Sequence, residues 1–138
     1  MNKQRVTLIT LGVSDMTVSR KFYAALGWVA KKSPPEVTFY HLNGMKLGLF
    51  GKEDLARDVG LPLSSLGTGT MVLSQNYNTK KEVDEAFEMA LKAGANQLKH
   101  PADTFWGGYA GHISDPDGHI WEYAMNPYWN LDDEGYIT

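Results

Sequence analysis

The sequence lacks cysteine, and no run of apolar residues approaches the roughly 20 that are needed to cross a bilayer. Without cysteine, disulfides, thiolate metal sites and cysteine nucleophiles are excluded. The 13 basic residues are scattered, and the net charge of −3 gives no basic stripe of the kind that nucleic-acid binders carry. The start of the chain leads into a strand-like run instead of an apolar signal core. We therefore expect a cytoplasmic protein that binds neither nucleic acid nor a membrane.

Two segments have the apolar spacing of amphipathic helices. Residues 16–26 place Val18, Phe22 and Leu26 on one face, and residues 80–93 repeat apolar residues at three- and four-residue intervals. Thr79 and Glu82 form a capping-box pattern before the second segment. A shorter helix is expected over 53–58.

The remaining ordered segments read as strands because apolar and polar residues alternate. They are expected over 6–13, 28–30, 37–42, 45–50, 70–75, 97–99, 109–114 and 119–125. Asn43-Gly44 and the run from Asp115 to Gly118 are turn sequences that join neighbouring strands into hairpins. Tight hairpins indicate antiparallel neighbours and argue against a parallel Rossmann-type sheet.

The order strand, helix, three strands thus occurs twice. We expect one α+β domain over residues 1–138, with paired βαβββ modules forming a curved, mostly antiparallel sheet around a cleft. The first module covers 5–51, a connector 52–68, the second module 69–127 and a solvated acidic tail 128–138.

Strand period two separates an apolar row, suited to lie under a helix, from a mixed row in most of the strands. If the mixed rows face the concave side, five polar side chains converge there: Thr10, Lys46, Thr70, His112 and Glu122.

The sequence also resembles a known superfamily. LGVSDM at 11–16 and FYAALGW at 22–28 resemble the opening of vicinal oxygen chelate proteins, the glyoxalase, bleomycin-resistance and dioxygenase superfamily. DPDGHIWE at 115–122 resembles its closing hairpin, and TFWGGY at 104–109 resembles a subgroup of glyoxalase-like proteins. The resemblance covers about residues 5 to 127, and it implies the paired-module fold and a homodimer.

Metal-dependent members of that superfamily place four His or Glu ligands on cleft-facing strands. By motif spacing the resemblance puts these positions at Leu8, Gly48, Thr70 and Glu122. One carboxylate does not hold a divalent ion, which needs three or more fixed ligands. We therefore expect no metal and no other cofactor.

Glu122 and His112 are the candidate catalytic residues, a carboxylate and an imidazole suited to share a proton. The alternative is structural: an acid that pairs with Lys46 or His112, and a histidine satisfied within a strand. Trp106 beside Gly107-Gly108 is a candidate aromatic flap over a ligand, or simply core filling. Together with Tyr109, the residues Thr10, Lys46 and Thr70 complete the candidate ligand contacts.

Three functions remain open. The first is metal-independent binding of a small organic molecule, and the second is a metal-independent isomerase- or lyase-like enzyme in which Glu122 is the general base. A metal-dependent enzyme of the lactoylglutathione lyase type comes third.

Overall fold

The computed structural model describes residues 2–31 and 34–138, which fall into two compact units that meet in sequence between Gly67 and Thr68. The first unit contains β1 (Leu8–Val13), α1 (Met16–Ala25), β2 (Val37–Leu42), β3 (Met45–Gly51), α2 (Lys52–Val59) and a 3-10 turn (Leu63–Ser65). The second unit contains β4 (Val72–Tyr77), α3 (Lys80–Lys92), β5 (Asn96–Asp103), β6 (Tyr109–Ser114) and β7 (Ile120–Met125).

The first unit is a three-stranded mixed sheet with α1 on one face. β3 lies in the centre, parallel to β1 and antiparallel to β2. Asp15 begins α1 by accepting hydrogen bonds from the backbone N–H groups of Thr17 and Val18. The helix buries Phe22 and Tyr23 against alternate strand residues, and the fully buried aliphatic strand residues are Leu11, Val13, Leu47 and Leu49. Each such side chain contributes about 1.5–3 kcal/mol of burial free energy.

The second unit is a four-stranded mixed sheet in the order β4-β7-β6-β5. β4 runs parallel to β7, and the two remaining pairs are antiparallel. Helix α3 covers one face with Val83, Phe87 and Ala90, all fully buried. The predicted capping box is confirmed in one half: Thr79 Oγ1 accepts a hydrogen bond from the Glu82 N–H, whereas the Glu82 carboxylate accepts from the Thr79 hydroxyl instead of the Thr79 backbone N–H.

Two tyrosines lie in the interior of this unit. Burial raises the pKa of Tyr123, and the neighbouring Tyr77, whose ring centroid lies 6.3 Å away, raises it further. Burial also raises the pKa of Tyr77, followed in size by the effect of the Glu82 charge. Both phenols are therefore held in their neutral form by the folded state.

The α+β fold class is confirmed, with one strand fewer than expected in the first unit. The strand predicted at 28–30 is wrong, because the Trp28 N–H returns to the Tyr23 carbonyl and closes the end of α1. The Trp28 ring packs against Tyr23 and Tyr40, and Val29 is 85% exposed, so this segment is not part of the sheet.

The C-terminal segment is largely exposed, as expected, yet it is locally folded. Leu131 and Ile137 form an isolated bridge, and the Asp132 carboxylate accepts hydrogen bonds from the N–H groups of Glu134 and Tyr136. Among the described residues, no helix has both the length and the apolar character that crossing a membrane requires.

Candidate functional site

One row of polar side chains crosses the centre of the second sheet. Ser74 on β4 lies opposite Glu122 on β7, and Glu122 lies opposite His112 on β6. The Ser74 hydroxyl donates to Glu122 Oε1 at 2.9 Å, and His112 Nε2 lies 3.1 Å from Glu122 Oε2. The structure therefore brings together the two residues predicted to form an acid–base pair.

This row lies on the sheet face that is turned away from α3. Strand neighbours on the opposite face are covered by the helix, since Ile113, Trp121 and Tyr123 are almost fully buried. Because strand side chains alternate between faces, His112 and Glu122 point the other way. Their side chains keep 28% and 26% of their surface exposed, so both remain accessible to a small molecule.

Sequence reasoning missed Ser74 because it placed the fourth strand two residues too early. Gly69 has a φ of +102°, which only glycine adopts freely, and Thr70 lies in the bend that follows it. The strand begins at Val72, and Thr70 is exposed before it, outside the row that contains Glu122. Ser74 is identified by the register between β4 and β7, which places it opposite Glu122. That register cannot be read from the sequence unless the pairing of the two strands is already known.

Thr10 and Lys46 lie on the corresponding face of the first unit, the one turned away from α1. Both are exposed, and the Lys46 Nζ lies 5.6 Å from the centre of the Phe39 ring. Phe39 also covers Gly48: a Cβ added there would lie 3.2 Å from a ring carbon and 3.4 Å from Leu8 Cδ1. Thr10 and Lys46 thus belong to the first unit, whereas Glu122 and His112 belong to the second.

Trp106 lies in the turn between β5 and β6, and Phe105 beside it is fully exposed. Three hydrogen bonds between Thr104 and the two following glycines close this turn, and Gly107 takes a φ of +91°. The Trp106 ring lies against Gly108, in the space that a Cβ at that position would need. By strand alternation this is the face that carries His112, so the ring and the polar row share one side of the sheet.

Tyr109 lies on the other face of the sheet. Its hydroxyl donates to the Asp84 carboxylate on α3 at 2.7 Å, and the Lys80 ammonium lies over its ring. The hydrogen bond to Asp84 raises the pKa of Tyr109. The structure therefore separates Tyr109 from Glu122 and His112, because odd-numbered residues of β6 face the helix.

The register shows how the positions that the resemblance assigns to metal ligands, Leu8, Gly48, Thr70 and Glu122, lie on or beside their strands. Leu8 pairs with the residue two positions before Gly48, and Val72 pairs with the residue two positions before Glu122. Val72 thus stands to Glu122 as Leu8 stands to Gly48, while Thr70, the residue that motif spacing assigned, lies before the start of β4. Neither Leu8, Gly48 nor Val72 has a side-chain donor atom.

The family model of the Glyoxalase/Bleomycin resistance protein/Dioxygenase superfamily matches residues 5–123. The chain belongs to this superfamily. A glyoxalase-related enzyme from Fulvimarina pelagi is 37% identical over 99% of this chain and 98% of its own, with a TM-score of 0.91.

More distant structures of the superfamily share the fold. A lactoylglutathione lyase from Agrobacterium tumefaciens has 21% identity and a TM-score of 0.71, over 95% of this chain and all of its own. A family enzyme from Burkholderia phytofirmans PsJN has 20% identity and a TM-score of 0.76, over 86% of this chain and 96% of its own. No significant match to a curated protein sequence is found.

This superfamily member does not have a donor set that fits the metal of its metal-dependent relatives. Of the four positions that the resemblance assigns, Leu8, Gly48, Thr70 and Glu122, only Glu122 has a carboxylate or an imidazole, and its two oxygens accept hydrogen bonds from Ser74 and His112. Within residues 2–31 and 34–138, no group of three or more His, Asp or Glu side chains is arranged to hold a metal ion. A divalent ion requires three or more fixed protein ligands, so no step is assigned to one here.

Proposed function

We propose that this glyoxalase-like protein binds a small organic molecule without a metal, on the face of the second sheet that carries Glu122 and His112. The observation that carries the proposal is the part-exposed carboxylate–imidazole pair, fixed on one side by Ser74. Polar groups that are few in number, held in place and still accessible are typical of ligand sites.

Trp106 adds an apolar contact to the proposed site. The ring lies on the same side of the sheet as the polar row, against the glycine at 108. Aromatic rings contribute large apolar area at a small cost in side-chain entropy. We assign Trp106 to the apolar part of the ligand and the Glu122–His112 pair to its polar end, both within the second unit.

A second candidate is an isomerase- or lyase-like enzyme in which the same pair moves a proton. The 3.1 Å contact between His112 Nε2 and Glu122 Oε2 favours it, because an imidazole beside a carboxylate is a common proton-transfer pair. The relative from Fulvimarina pelagi, described as a glyoxalase-related enzyme, also supports an enzyme.

We further propose that the protein is a cytoplasmic homodimer. Light scattering tests the dimer, since it compares the mass in solution with the chain mass of 15.4 kDa.

The proposal is tested by thermal shift against a panel of small alcohols, amines, amides and carboxylic acids, with and without EDTA. Native mass spectrometry then measures the stoichiometry of each hit. We expect saturable binding that EDTA leaves unchanged and that Glu122→Gln weakens at least tenfold. The control is Glu88→Gln, which removes an exposed acid from α3 on the other face.

Binding that survives Glu122→Gln and His112→Gln unchanged contradicts the proposed site. Binding that EDTA abolishes contradicts metal independence. A hit that is consumed, with a new product detected by mass spectrometry, selects the enzyme over the binding protein.

A further inference from the structure

The hydrogen bonds of Glu122 determine which nitrogen of His112 carries a proton. An ionised carboxylate only accepts hydrogen bonds, so the contact at 3.1 Å requires a proton on His112 Nε2. In a neutral imidazole the other nitrogen, Nδ1, then has a free lone pair. No described residue forms a hydrogen bond with Nδ1, and the side chain is 28% exposed.

The same contacts limit what Glu122 does. Its Oε1 accepts from the Ser74 hydroxyl and its Oε2 accepts from His112, so each oxygen already has a protein donor. The three residues are in register on adjacent strands, which fixes their order across the sheet. Two of the roughly four acceptor sites of the carboxylate are thus used by protein donors, and this holds Glu122 in a position that orients the imidazole.

We propose that His112 Nδ1 is the ligand-facing hydrogen-bond acceptor of the site, with Glu122 and Ser74 as positioning residues. The inference rests on the proposed function, and it names the ligand chemistry: an organic molecule whose polar end presents an O–H or N–H donor. A molecule with only acceptors at that end covers Nδ1 without donating to it. A polar group that loses its water without gaining a partner weakens binding.

The first test reads the tautomer directly, in the full chain without ligand. Two-dimensional ¹⁵N–¹H correlation of the imidazoles at pH 8 identifies the protonated nitrogen, and His112→Gln assigns the resonance. We expect the Nε2–H form alone in the wild type. Glu122→Gln is expected to give a mixture of both forms, because a glutamine side chain both donates and accepts.

Ser74 has its own readout in the same spectrum. Ser74→Ala is expected to shift the His112 nitrogens part of the way toward those of Glu122→Gln, and Ser74→Thr is expected to restore them. Glu88→Gln is expected to leave the spectrum unchanged. An Nδ1–H form or a doubly protonated ring in the wild type at pH 8 overturns the proposal, as does a Glu122→Gln spectrum identical to the wild type.

The second test compares alcohols with their methyl ethers among the panel compounds that bind. We expect each alcohol to bind at least tenfold more tightly than its ether, and equal or reversed affinities overturn the ligand class. The two proposals fail separately. An Nε2–H tautomer in a protein that binds no panel compound counts against the proposed function alone, whereas binding with the wrong tautomer counts against this inference alone.

Discussion

Replacing Gly108 with alanine tests whether the Trp106 ring is held against the backbone. A Cβ at residue 108 would overlap ring atoms Cζ3 and Cη2 and lie 2.6 Å from the Met125 carbonyl oxygen. The ring therefore has to move, and the backbone has to yield at the carbonyl. Overpacking of this kind costs about 1–3 kcal/mol.

Displacement of the ring adds a second cost. Trp106 is half-buried, so moving it exposes part of its apolar area, worth about 1–2 kcal/mol at roughly 25 cal/mol per Å². We expect Gly108→Ala to lower the free energy of unfolding by about 3 kcal/mol in urea titrations. Trp106→Ala alone is expected to cost about 2 kcal/mol.

The double variant separates the two contributions. Once the ring is absent, the overlap with Cζ3 and Cη2 is gone and the close approach to the Met125 carbonyl remains, so the two losses should not add. We expect the double variant to be at least 1 kcal/mol more stable than the sum predicts. Additivity within about 0.5 kcal/mol would show that the ring does not occupy this space.

Three further outcomes follow from contacts elsewhere in the structure. Thr79→Ala removes the cap of α3 and is expected to cost about 1 kcal/mol in urea titration, with Thr79→Ser restoring most of it; no loss would contradict the capping box. Tyr109→Phe removes the bond to Asp84 and is expected to cost no more than about 1 kcal/mol while leaving ligand affinity unchanged, whereas a tenfold loss of affinity would place Tyr109 in the site. Because burial raises the pKa of Tyr77 and Tyr123, the unfolded chain ionises first, near pH 10. The contribution of these two phenols to stability is therefore expected to be flat below about pH 10 and to fall as pH rises from there through the folded pKa values, and Tyr123→Phe should reduce that fall; an identical fall in the variant would refute this cause.

The elements that sequence reasoning located well are those with strong local signals. Helix α3 has both a capping box and a three- to four-residue apolar repeat, and its observed start at Lys80 agrees with the prediction. β2 and β6 have the predicted bounds, and both lead into or out of a hairpin turn. In these segments the local pattern and the tertiary pairing favour the same structure.

The errors occur where tertiary contacts, and not the local sequence, determine the structure of a segment. The segment 28–30 alternates like a strand, yet the Trp28 ring packs against Tyr23 and against Tyr40 of β2, and the segment forms no ladder with any described strand. The start of β4 depends on its parallel partner β7, which lies more than 40 residues away in sequence. The prediction started this strand two residues too early, so Thr70 was named as a candidate contact and Ser74, which pairs with Glu122, was not.

The candidate site was predictable only in part for the same reason. Glu122 and His112 flank a recognisable turn, so a hairpin register brings them opposite each other from the sequence alone. The face of Tyr109 was available from the same alternation, since it differs from His112 by an odd number of residues. The position of the Trp106 ring could not be predicted from the alternation, because the ring occupies space that is open only where residue 108 is glycine.

The donor set leads to a last prediction, on metal binding. Leu8 is aliphatic, the space at Gly48 is filled by the Phe39 ring, and Thr70 offers only a hydroxyl, so Glu122 is the one carboxylate or imidazole at the four positions that the resemblance assigns. Because a single carboxylate binds divalent ions weakly, we expect titration calorimetry with Zn²⁺, Ni²⁺ and Mn²⁺ to give no stoichiometric site with a Kd below about 100 μM. The unfolding temperature should be the same with EDTA as with each metal, and Glu122→Gln should change neither result. A one-to-one site of micromolar affinity that Glu122→Gln abolishes would show that ligands from other positions complete it, and the assignment of His112 as the partner of Glu122 would then be wrong.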